Sequence, residues 1–242
     1  MRVSTAPHQA GLRSVLPRSN SAIPLRDRLV AESLGTAFLL AAVVGSGIMA
    51  ERLSAGNVGL ALLANSLATG AALTAMISSF GPISGAHLNP AVTLTEAVRG
   101  GIGWRTALMY VPTQVVAAVV GVIVAHAMFG LPLLEASGHG RAGAPQLFSE
   151  ALATFGLVAV IRGCARSRPE ATPYAVGLYI TAAYWFTSST SFANPAVTLA
   201  RTLTDTFTGI RSTDAPGFVV AQLLGAAAAA LLFRWFDRSS KP

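Results

Sequence analysis

Charged residues are scarce in this sequence. They make up 11% of the 242 residues, whereas about a quarter of the residues in a soluble domain are charged. Hydrophobic residues account for 52%, and the mean hydropathy is +0.57. These values exclude an ordinary soluble domain and predict a polytopic membrane protein. The length accommodates about six spans of roughly 20 residues with their connections.

Cysteine and catalytic groupings are also rare. The single cysteine, Cys164, excludes an intrachain disulfide framework and argues against a Cys-rich metal site, so we expect this thiol to be inert. The net charge of +7 comes without a basic stripe interleaved with aromatic residues, so no nucleic-acid partner is expected. No grouping of acid, base and nucleophile stands out. The sequence therefore predicts neither an enzyme nor a cofactor.

The N-terminal stretch is basic and polar. Residues 1–25 contain Arg2, Arg13 and Arg18 among several Ser and Pro, and no acidic residue. They also lack the apolar core of a secretory signal, which excludes that kind of segment. We predict a disordered cytosolic arm over 1–28. An organellar transit peptide, which is also rich in Arg and Ser, is the alternative.

The hexapeptide NPAVTL occurs twice, at 89–94 and at 194–199. Each copy is typical of a helix start, because Asn is a favoured N-cap and Pro in the first turn loses only an N–H without a partner. Behind each Pro runs a helix of roughly ten residues, which is too short to cross a bilayer. Two half-helices capped by Asn89 and Asn194 are expected to meet in the middle of a membrane, with their positive ends directed at one point.

The apolar stretches predict six spans, and two polar loops rich in Gly or Ser lead to the half-helices. The predicted spans are 29–50, 58–79, 104–129, 146–163, 174–187 and 216–236. The loops are 80–88 and 188–193, and such backbone lies at membrane depth only where protein or a water-filled cavity buries it. The longest connection, 130–145, separates repeat one, about 29–129, from repeat two, about 146–236.

Each half contains three spans and one half-helix, and further positions repeat. Glu32 in span one corresponds to Glu150 in span four, and Gln114 in span three corresponds to Gln222 in span six. An odd number of spans per repeat inserts the two halves with opposite orientation. We therefore predict an all-α membrane protein with six transmembrane helices and two re-entrant half-helices in an inverted repeat.

Basic residues are unevenly distributed over this topology. With both termini in the cytosol, the inside segments, including the tail at 238–242, hold 13 of the 17 basic residues. The outside segments keep Arg52, Arg141, Arg201 and Arg211. The positive-inside rule then predicts cytosolic termini. We expect a multi-pass protein of the cell membrane, in a bacterium the inner membrane.

The segments SGAHLNPAVT at 84–93 and SFANPA at 191–196 resemble the two signature loops of the aquaporin, or major intrinsic protein, family. The resemblance covers about 29–236 and includes the paired Glu and Gln positions. It implies a right-handed six-span bundle in the lipid bilayer, with the channel domain at 29–237. It also implies a homotetramer with one pore per subunit, which passes water and small neutral solutes.

Asn89 and Asn194 are expected at the midplane of the pore. A neutral solute loses hydrogen bonds there, and the two amides can donate N–H groups while the half-helix N-termini repel cations. The alternative is that both Asn are only structural caps. The resemblance implies that Glu32 and Glu150 brace the re-entrant loops, although an acid inside a span can also transfer protons. It implies that His87 holds the first loop, with a gating role as the alternative.

The resemblance also implies an outer constriction of four positions that sets selectivity. Counting to the matching places gives Thr69, Ser191 and Val197. Most members have Arg where this chain has Val197, and many have an aromatic residue where it has Thr69. The constriction is therefore expected to be wider and less polar than in a strict water pore. Arg201, one turn beyond Val197, is expected at the outer mouth, as a vestibule or interface residue or paired with Asp205 at i+4.

The fourth position of the constriction lies on span five. Helix register from Gly177 gives Tyr184. Counting back from Asn194 gives Ala182 instead, because this loop is two residues shorter than in typical water channels. We favour Tyr184.

The run YWFTSSTSFANPAV at 184–197 resembles the bacterial branch of the family associated with arsenic resistance. It implies passage of undissociated arsenous acid, As(OH)3, a neutral trihydroxide that forms hydrogen bonds much as glycerol does. We expect a passive, bidirectional channel for small neutral polyols or metalloid hydroxides and for water. A general water or glycerol facilitator is the alternative. A coupled secondary transporter would need Glu32 or Glu150 as its ion-binding acid.

Overall fold

The computed structural model describes residues 23–239, which contain no β-strand. Its helices are α1 (Leu25–Leu53), α2 (Val58–Ser84), α3 (Pro90–Val98), α4 (Trp104–Phe129), α5 (Ala144–Ser167), α6 (Thr172–Phe186), α7 (Pro195–Ala200) and α8 (Ala215–Ser239). Two 3-10 turns, Pro169–Ala171 and Arg201–Leu203, precede α6 and follow α7. Most of the predicted N-terminal arm and of the basic tail, residues 1–22 and 240–242, lies outside the described residues.

Within residues 23–239, five helices are long and apolar enough to cross a membrane: α1, α2, α4, α5 and α8 have 24 to 29 residues each. The remaining predicted span is α6, whose 15 residues correspond to about 22 Å of helix. Large apolar side chains such as Phe38 and Leu108 are exposed on the outside of the bundle, whereas Glu32 and Gln114 are completely buried. Apolar residues outside and polar residues inside are what a lipid environment requires.

Several helix boundaries differ from those predicted, and three of them have a clear local cause. Helix α1 begins at Leu25 instead of residue 29, because the polar turn with Asp27 is helical and an acid is favourable in a first turn. Helix α2 continues to Ser84, so residues 80–84 are helical and not part of the loop. It ends at Gly85, whose φ of 92° only glycine adopts readily. Helix α7 has six residues instead of about ten, because the chain then tightens into a 3-10 turn.

The two halves repeat one arrangement: α1 packs against α2 and α4, and α5 packs against α6 and α8. The halves meet where α2 crosses α6. A Cβ atom on Gly70 would lie 2.7 Å from the carbonyl oxygen of Gly177, and one on Gly177 would lie 2.5 Å from that of Gly70. Only glycine at both positions permits so close a crossing, as is common between membrane helices.

The half-helices α3 and α7 fill the centre of the bundle. Both contact α4 and α8, and they contact each other. Their N-termini lie at the middle of the bundle, because each follows a re-entrant loop. We call the face where α1 begins and α8 ends the termini face, and the other the opposite face.

Candidate functional site

Asn89 and Asn194 cap the half-helices and also tie them together. Each side-chain oxygen accepts a hydrogen bond from the backbone N–H two residues later, at 2.8 and 3.0 Å respectively. Asn89 Nδ2 donates to the carbonyl of Ala193 at 2.8 Å. Asn194 Nδ2 donates to the carbonyl of Leu88, also at 2.8 Å. One N–H of each amide is thus used by the opposite loop, and the second remains for a solute.

Two buried carboxylates hold the re-entrant loops. Glu32 accepts hydrogen bonds from the backbone N–H groups of His87 and Leu88, at 2.9 and 2.8 Å. Glu150 accepts from the backbone N–H groups of residues 192–193, both at 2.9 Å. Both carboxylates are 0% exposed. The same contact therefore occurs in both halves of the repeat.

The repeated glutamines complete this network. Gln114 Nε2 donates to Glu32 at 2.8 Å, and Gln222 Nε2 donates to Glu150 at 2.6 Å. The loops need such support because several non-glycine residues in them have positive φ. These residues are Ala86, Leu88, Thr190, Ser191 and Ala193. Each such conformation costs about 1–3 kcal/mol and persists only where its surroundings fix it.

A cavity of about 250 Å³ runs along the contact between the half-helices. Its wall includes, from the termini face to the opposite face, Glu96, Arg162, His87, Asn89, Asn194, Val197, Ser191, Thr69 and Tyr184. The residues predicted for the midplane and for the constriction all lie in this wall. We call the cavity the conduit, and its end at Glu96 and Arg162 the termini-side mouth.

His87 both lines the conduit and contacts the loop around it. Its Nδ1 lies 3.1 Å from Thr93 Oγ1, and its ring meets the ring of Tyr110 edge-on at 5.5 Å. Its backbone N–H donates to Glu32. These contacts orient the imidazole within the wall.

Of the two residues considered for the α6 position of the predicted constriction, Tyr184 lines the conduit and Ala182 does not. The Tyr184 hydroxyl lies 3.2 Å from Thr69 Oγ1, whereas Ala182 is exposed on the outside of the helix. Tyr184 follows Gly177 by about two helical turns, so both residues face α2. Helix register fixes this position, and the length of the following loop does not.

The other residues predicted for the constriction are part apolar and part polar. Val197 is buried and packs in one cluster with Leu39 and Val43. Ser191 Oγ is buried and has no hydrogen-bond partner among residues 23–239. Ser191 and Val197 therefore line the conduit together, one with a hydroxyl that has no partner in the described part of the chain and the other without a polar group.

Arg201 lies behind the second re-entrant loop, which differs from its expected place in the outer mouth. It is 2% exposed and does not line the conduit. Its guanidinium carbon lies 3.4 Å from the centroid of the Phe192 ring, and its Nε donates to the carbonyl of Thr208. Arg141 approaches the same ring at 5.2 Å. Arg201 is the first residue of the 3-10 turn after α7, and the Phe192 ring provides a cation–π partner for its guanidinium.

Asp205 does not form the ion pair considered with Arg201. Its carboxylate accepts a hydrogen bond from the backbone N–H of Gly138 at 2.9 Å and lies 3.2 Å from His139 Nδ1. The Gly138 N–H first, and then His139, hold the pKa of Asp205 below its ordinary value. Asp205 therefore ties the connection before α5 to the segment after α7.

Sequence reasoning missed the residues of the termini-side mouth. The sequence indicates Arg162 only as one of the basic residues that flank span four and set its orientation. Glu96 had a signal, because it follows Asn89 by about two helical turns and so shares the conduit face of α3. The approach of Arg162 to Glu96 joins two halves of the chain, and no local pattern predicts it.

Comparisons with known proteins fit this architecture. Residues 19–188 and 167–241 match the family described as Major intrinsic protein. The chain is 55% identical over 218 residues to Aquaglyceroporin AqpS of Rhizobium meliloti (strain 1021), covering 90% of this chain and 93% of that protein. It is 34% identical over 209 residues to Aquaporin NIP1-4 of Oryza sativa subsp. japonica, covering 84% of this chain and 74% of that protein.

A solved structure has the same fold. The X-ray structure of the aquaglyceroporin from Plasmodium falciparum aligns with a TM-score of 0.69 at 21% identity. The alignment covers 87% of this chain and 96% of that chain. At this level of identity the likeness concerns the fold alone: an all-helical membrane bundle with two half-helices.

Proposed function

The chain belongs to the major intrinsic protein family of membrane channels, and on that premise we propose that it passively conducts water and small uncharged hydroxylated solutes, among them glycerol and arsenous acid. As a member of this family it is a multi-pass membrane channel and not an enzyme. The observation that carries the proposal is the constriction. There, the aliphatic Val197 shares the wall with the free hydroxyl of Ser191 and the hydroxyl pair of Thr69 and Tyr184.

This wall suits a solute that is larger than water and has hydroxyl groups on an apolar frame. A buried polar atom without a partner costs about 1–3 kcal/mol, so a passing hydroxyl that bonds to Ser191 lowers the energy of both groups. Val197 adds neither a charge nor a hydrogen-bond donor. A guanidinium at that position would narrow the constriction and favour water over larger solutes.

The contacts at the midplane also favour neutral solutes. One N–H of Asn89 and one of Asn194 remain for the solute, while the N-termini of α3 and α7 contribute positive potential at the same place. An uncharged oxygen is attracted there and a cation is repelled. This electrostatic arrangement supports passage of neutral molecules.

The buried acids support a channel over a coupled transporter. Glu32 accepts hydrogen bonds from Ser84 Oγ and Gln114 Nε2 in addition to two backbone N–H groups. Glu150 accepts from two backbone N–H groups and from Gln222 Nε2. Neither residue lines the conduit. Carboxylates engaged in this way are suited to bracing the loops and poorly suited to binding a coupling ion.

The choice of solutes has two supports outside the geometry. The Rhizobium meliloti relative is named an aquaglyceroporin, which favours passage of glycerol as well as water. The resemblance of residues 184–197 to the arsenic-resistance branch favours arsenous acid. A water and glycerol facilitator that does not pass arsenous acid is the second candidate, and it rests on the relative's name alone.

We propose the same orientation and assembly as the sequence predicts. Of the basic residues within 23–239, all but Arg52, Arg141, Arg201 and Arg211 lie toward the termini face, so we propose that this face is cytosolic, in a bacterium at the inner membrane. Exposed apolar side chains on every long helix suit contact with lipid or with other subunits. A homotetramer, with one conduit in each subunit, follows the family pattern.

The test is stopped-flow light scattering of proteoliposomes that contain the purified protein. Water, glycerol and neutral arsenous acid should each equilibrate faster than in protein-free vesicles, and an imposed proton or sodium gradient should not change the final distribution. Accumulation of a solute against its own gradient would contradict a passive channel. Fast water flow without glycerol or arsenous acid flow would contradict the wide constriction.

A further inference from the structure

Arg162 on α5 is a buried guanidinium in the wall of the conduit. Its side chain is 8% exposed, and it lines the termini-side mouth. Its Nε has no hydrogen-bond partner among the described residues. Guanidinium groups carry five N–H donors, and buried donors nearly always have acceptors. The described part of the chain therefore leaves this guanidinium incompletely bonded; Nε is shielded, so Nη1 and Nη2 are the donors that a ligand in the conduit would use.

The two carboxylates beside Arg162 do not satisfy its donors. Arg162 Nη1 lies 4.0 Å from Glu96 Oε1, and Nη2 lies 3.6 Å from Asp237 Oδ2. Both separations exceed the usual hydrogen-bond range of about 2.7–3.2 Å. Two other arginines lie closer to these carboxylates. Arg99 Nη1 lies 3.1 Å from Glu96 Oε1, and Arg166 Nη1 lies 3.0 Å from Asp237 Oδ1.

Glu96 lines the same mouth and still has acceptor capacity. Each carboxylate oxygen can accept two hydrogen bonds, and Arg99 occupies only part of that capacity. Arg162 Nη1 and Glu96 Oε1 thus lie about 1 Å further apart than a directly hydrogen-bonded pair. A hydroxyl group, which both donates and accepts, complements this gap.

We propose that Arg162 and Glu96 form a solute-binding station at the termini-side mouth, which takes neutral polyhydroxy solutes through paired hydroxyl groups. The station rests on the proposed function and adds a second contact point to the constriction at the other end of the conduit. A solute that leaves bulk water can exchange its hydration in two steps, first at one end and then at the other.

The surrounding charges favour a neutral ligand over an anion. Glu96 and Asp237 both lie within 4.0 Å of the Arg162 guanidinium, and Arg99 and Arg166 pair with them. The cluster therefore holds three cations and two carboxylates, and an anion bound beside Arg162 would still meet the two carboxylates at close range. A polyol needs an acceptor as well as a donor, and only the pair provides both. Water can also bind, but its one oxygen atom spans a shorter distance than the several hydroxyl groups of a polyol.

The experiment compares Arg162→Met with the matched control Arg166→Met. The first variant removes the free donors and keeps most of the apolar stem, whereas the second removes a neighbouring guanidinium that bonds to Asp237 and does not line the conduit. Glycerol flux into proteoliposomes is measured over a range of glycerol concentrations, and water permeability is measured on the same vesicles.

We expect the glycerol concentration that gives half-maximal flux to rise about tenfold in Arg162→Met. Loss of one hydrogen bond to a charged group weakens binding by about that factor. Wild type and Arg166→Met should share one half-saturation value and one water permeability, and in Arg162→Met the water permeability should change much less than the half-saturation of glycerol flux. Arg162→Lys keeps the charge but not the planar fork. Arg162→Lys should therefore give a smaller rise in the half-saturating glycerol concentration. This variant tests the station if Arg162→Met does not assemble.

Four results would overturn the station. They are an unchanged half-saturation in both Arg162 variants, an equal rise in Arg166→Met, a loss of water permeability together with glycerol flux, and competition by inorganic phosphate that exceeds competition by a second polyol. The proposed function survives each of them as long as wild type conducts glycerol. A wild-type protein that conducts water but no glycerol would instead contradict the proposed function itself.

Discussion

The hydroxyl of Tyr184 lies 3.2 Å from that of Thr69, which joins α6 to α2 at the constriction. The two hydroxyls can satisfy each other, so they stay in place when no solute is present. Ser191 differs, because its buried hydroxyl has no partner among residues 23–239. The constriction therefore combines a preformed polar pair, one free hydroxyl and the aliphatic Val197.

Ser191→Ala should weaken solute passage without weakening the fold. The variant removes a hydroxyl without a protein partner, so the midpoint of thermal unfolding should stay at the wild-type value. Glycerol permeability should fall about fivefold, which corresponds to one ordinary hydrogen bond, and water permeability should fall less. Stopped-flow scattering and thermal unfolding in detergent measure the two effects.

The matched control is Ser189→Ala. Ser189 Oγ accepts a hydrogen bond from the backbone N–H of Ser191 at 3.2 Å, so its loss should lower the unfolding midpoint. The interpretation of Ser191 is wrong if its variant loses stability as Ser189→Ala does and keeps full glycerol permeability.

Glu150→Gln should destabilise the channel. The amide would direct an NH2 group at loop N–H donors that now bond to the carboxylate, at 2.9 Å each. We expect a loss of about 3 kcal/mol in the free energy of unfolding, since hydrogen bonds to charged groups are worth about 1.5–3 kcal/mol each. The control is Glu170→Gln at an exposed position, which should have the same free energy of unfolding as wild type. Full stability together with a lost pH dependence of flux would favour proton transfer by Glu150.

Arg201→Lys should also lower stability, while the selectivity of the conduit stays unchanged. A lysine keeps the charge but cannot stack flat on Phe192, as the guanidinium does at 3.4 Å. The lost cation–π contact is worth about 1–2 kcal/mol when buried. Arg211→Lys on the exposed outer segment is the control. A stable Arg201→Lys protein with an altered ratio of glycerol to water permeability would instead favour a role for Arg201 at the outer mouth.

The doubled hexapeptide predicts the centre of the fold well. Helices α3 and α7 each begin at the Pro of NPAVTL, and each preceding Asn caps its helix, because capping depends on local chemistry. Hydropathy locates the spans but not the helix ends. Leu25 and Ser84 lie in polar turns that extend a helix beyond its apolar part.

Long-range contacts account for what the sequence does not reveal. Arg201 looks like a mouth residue by helical spacing, yet the ring that holds it belongs to Phe192, on the other side of α7 in the chain. In the sequence, Arg162 resembles a basic residue that only sets the membrane topology. In the structure it lines the conduit near Glu96, which belongs to the first repeat. Helix register, by contrast, points to Tyr184, which lines the conduit, because Gly177 fixes the face of α6 that meets α2.

The most direct test of the central claim is the ratio of glycerol to water permeability in Val197→Arg, with Val197→Leu as the size control. Arg at this position adds bulk and charge to the constriction, whereas Leu leaves it aliphatic. We predict that the ratio falls about tenfold or more in Val197→Arg and stays near the wild-type value in Val197→Leu, because steric exclusion acts on the larger solute first. An unchanged ratio in a folded, water-conducting Val197→Arg protein would contradict the claim that Val197 sets what the channel admits.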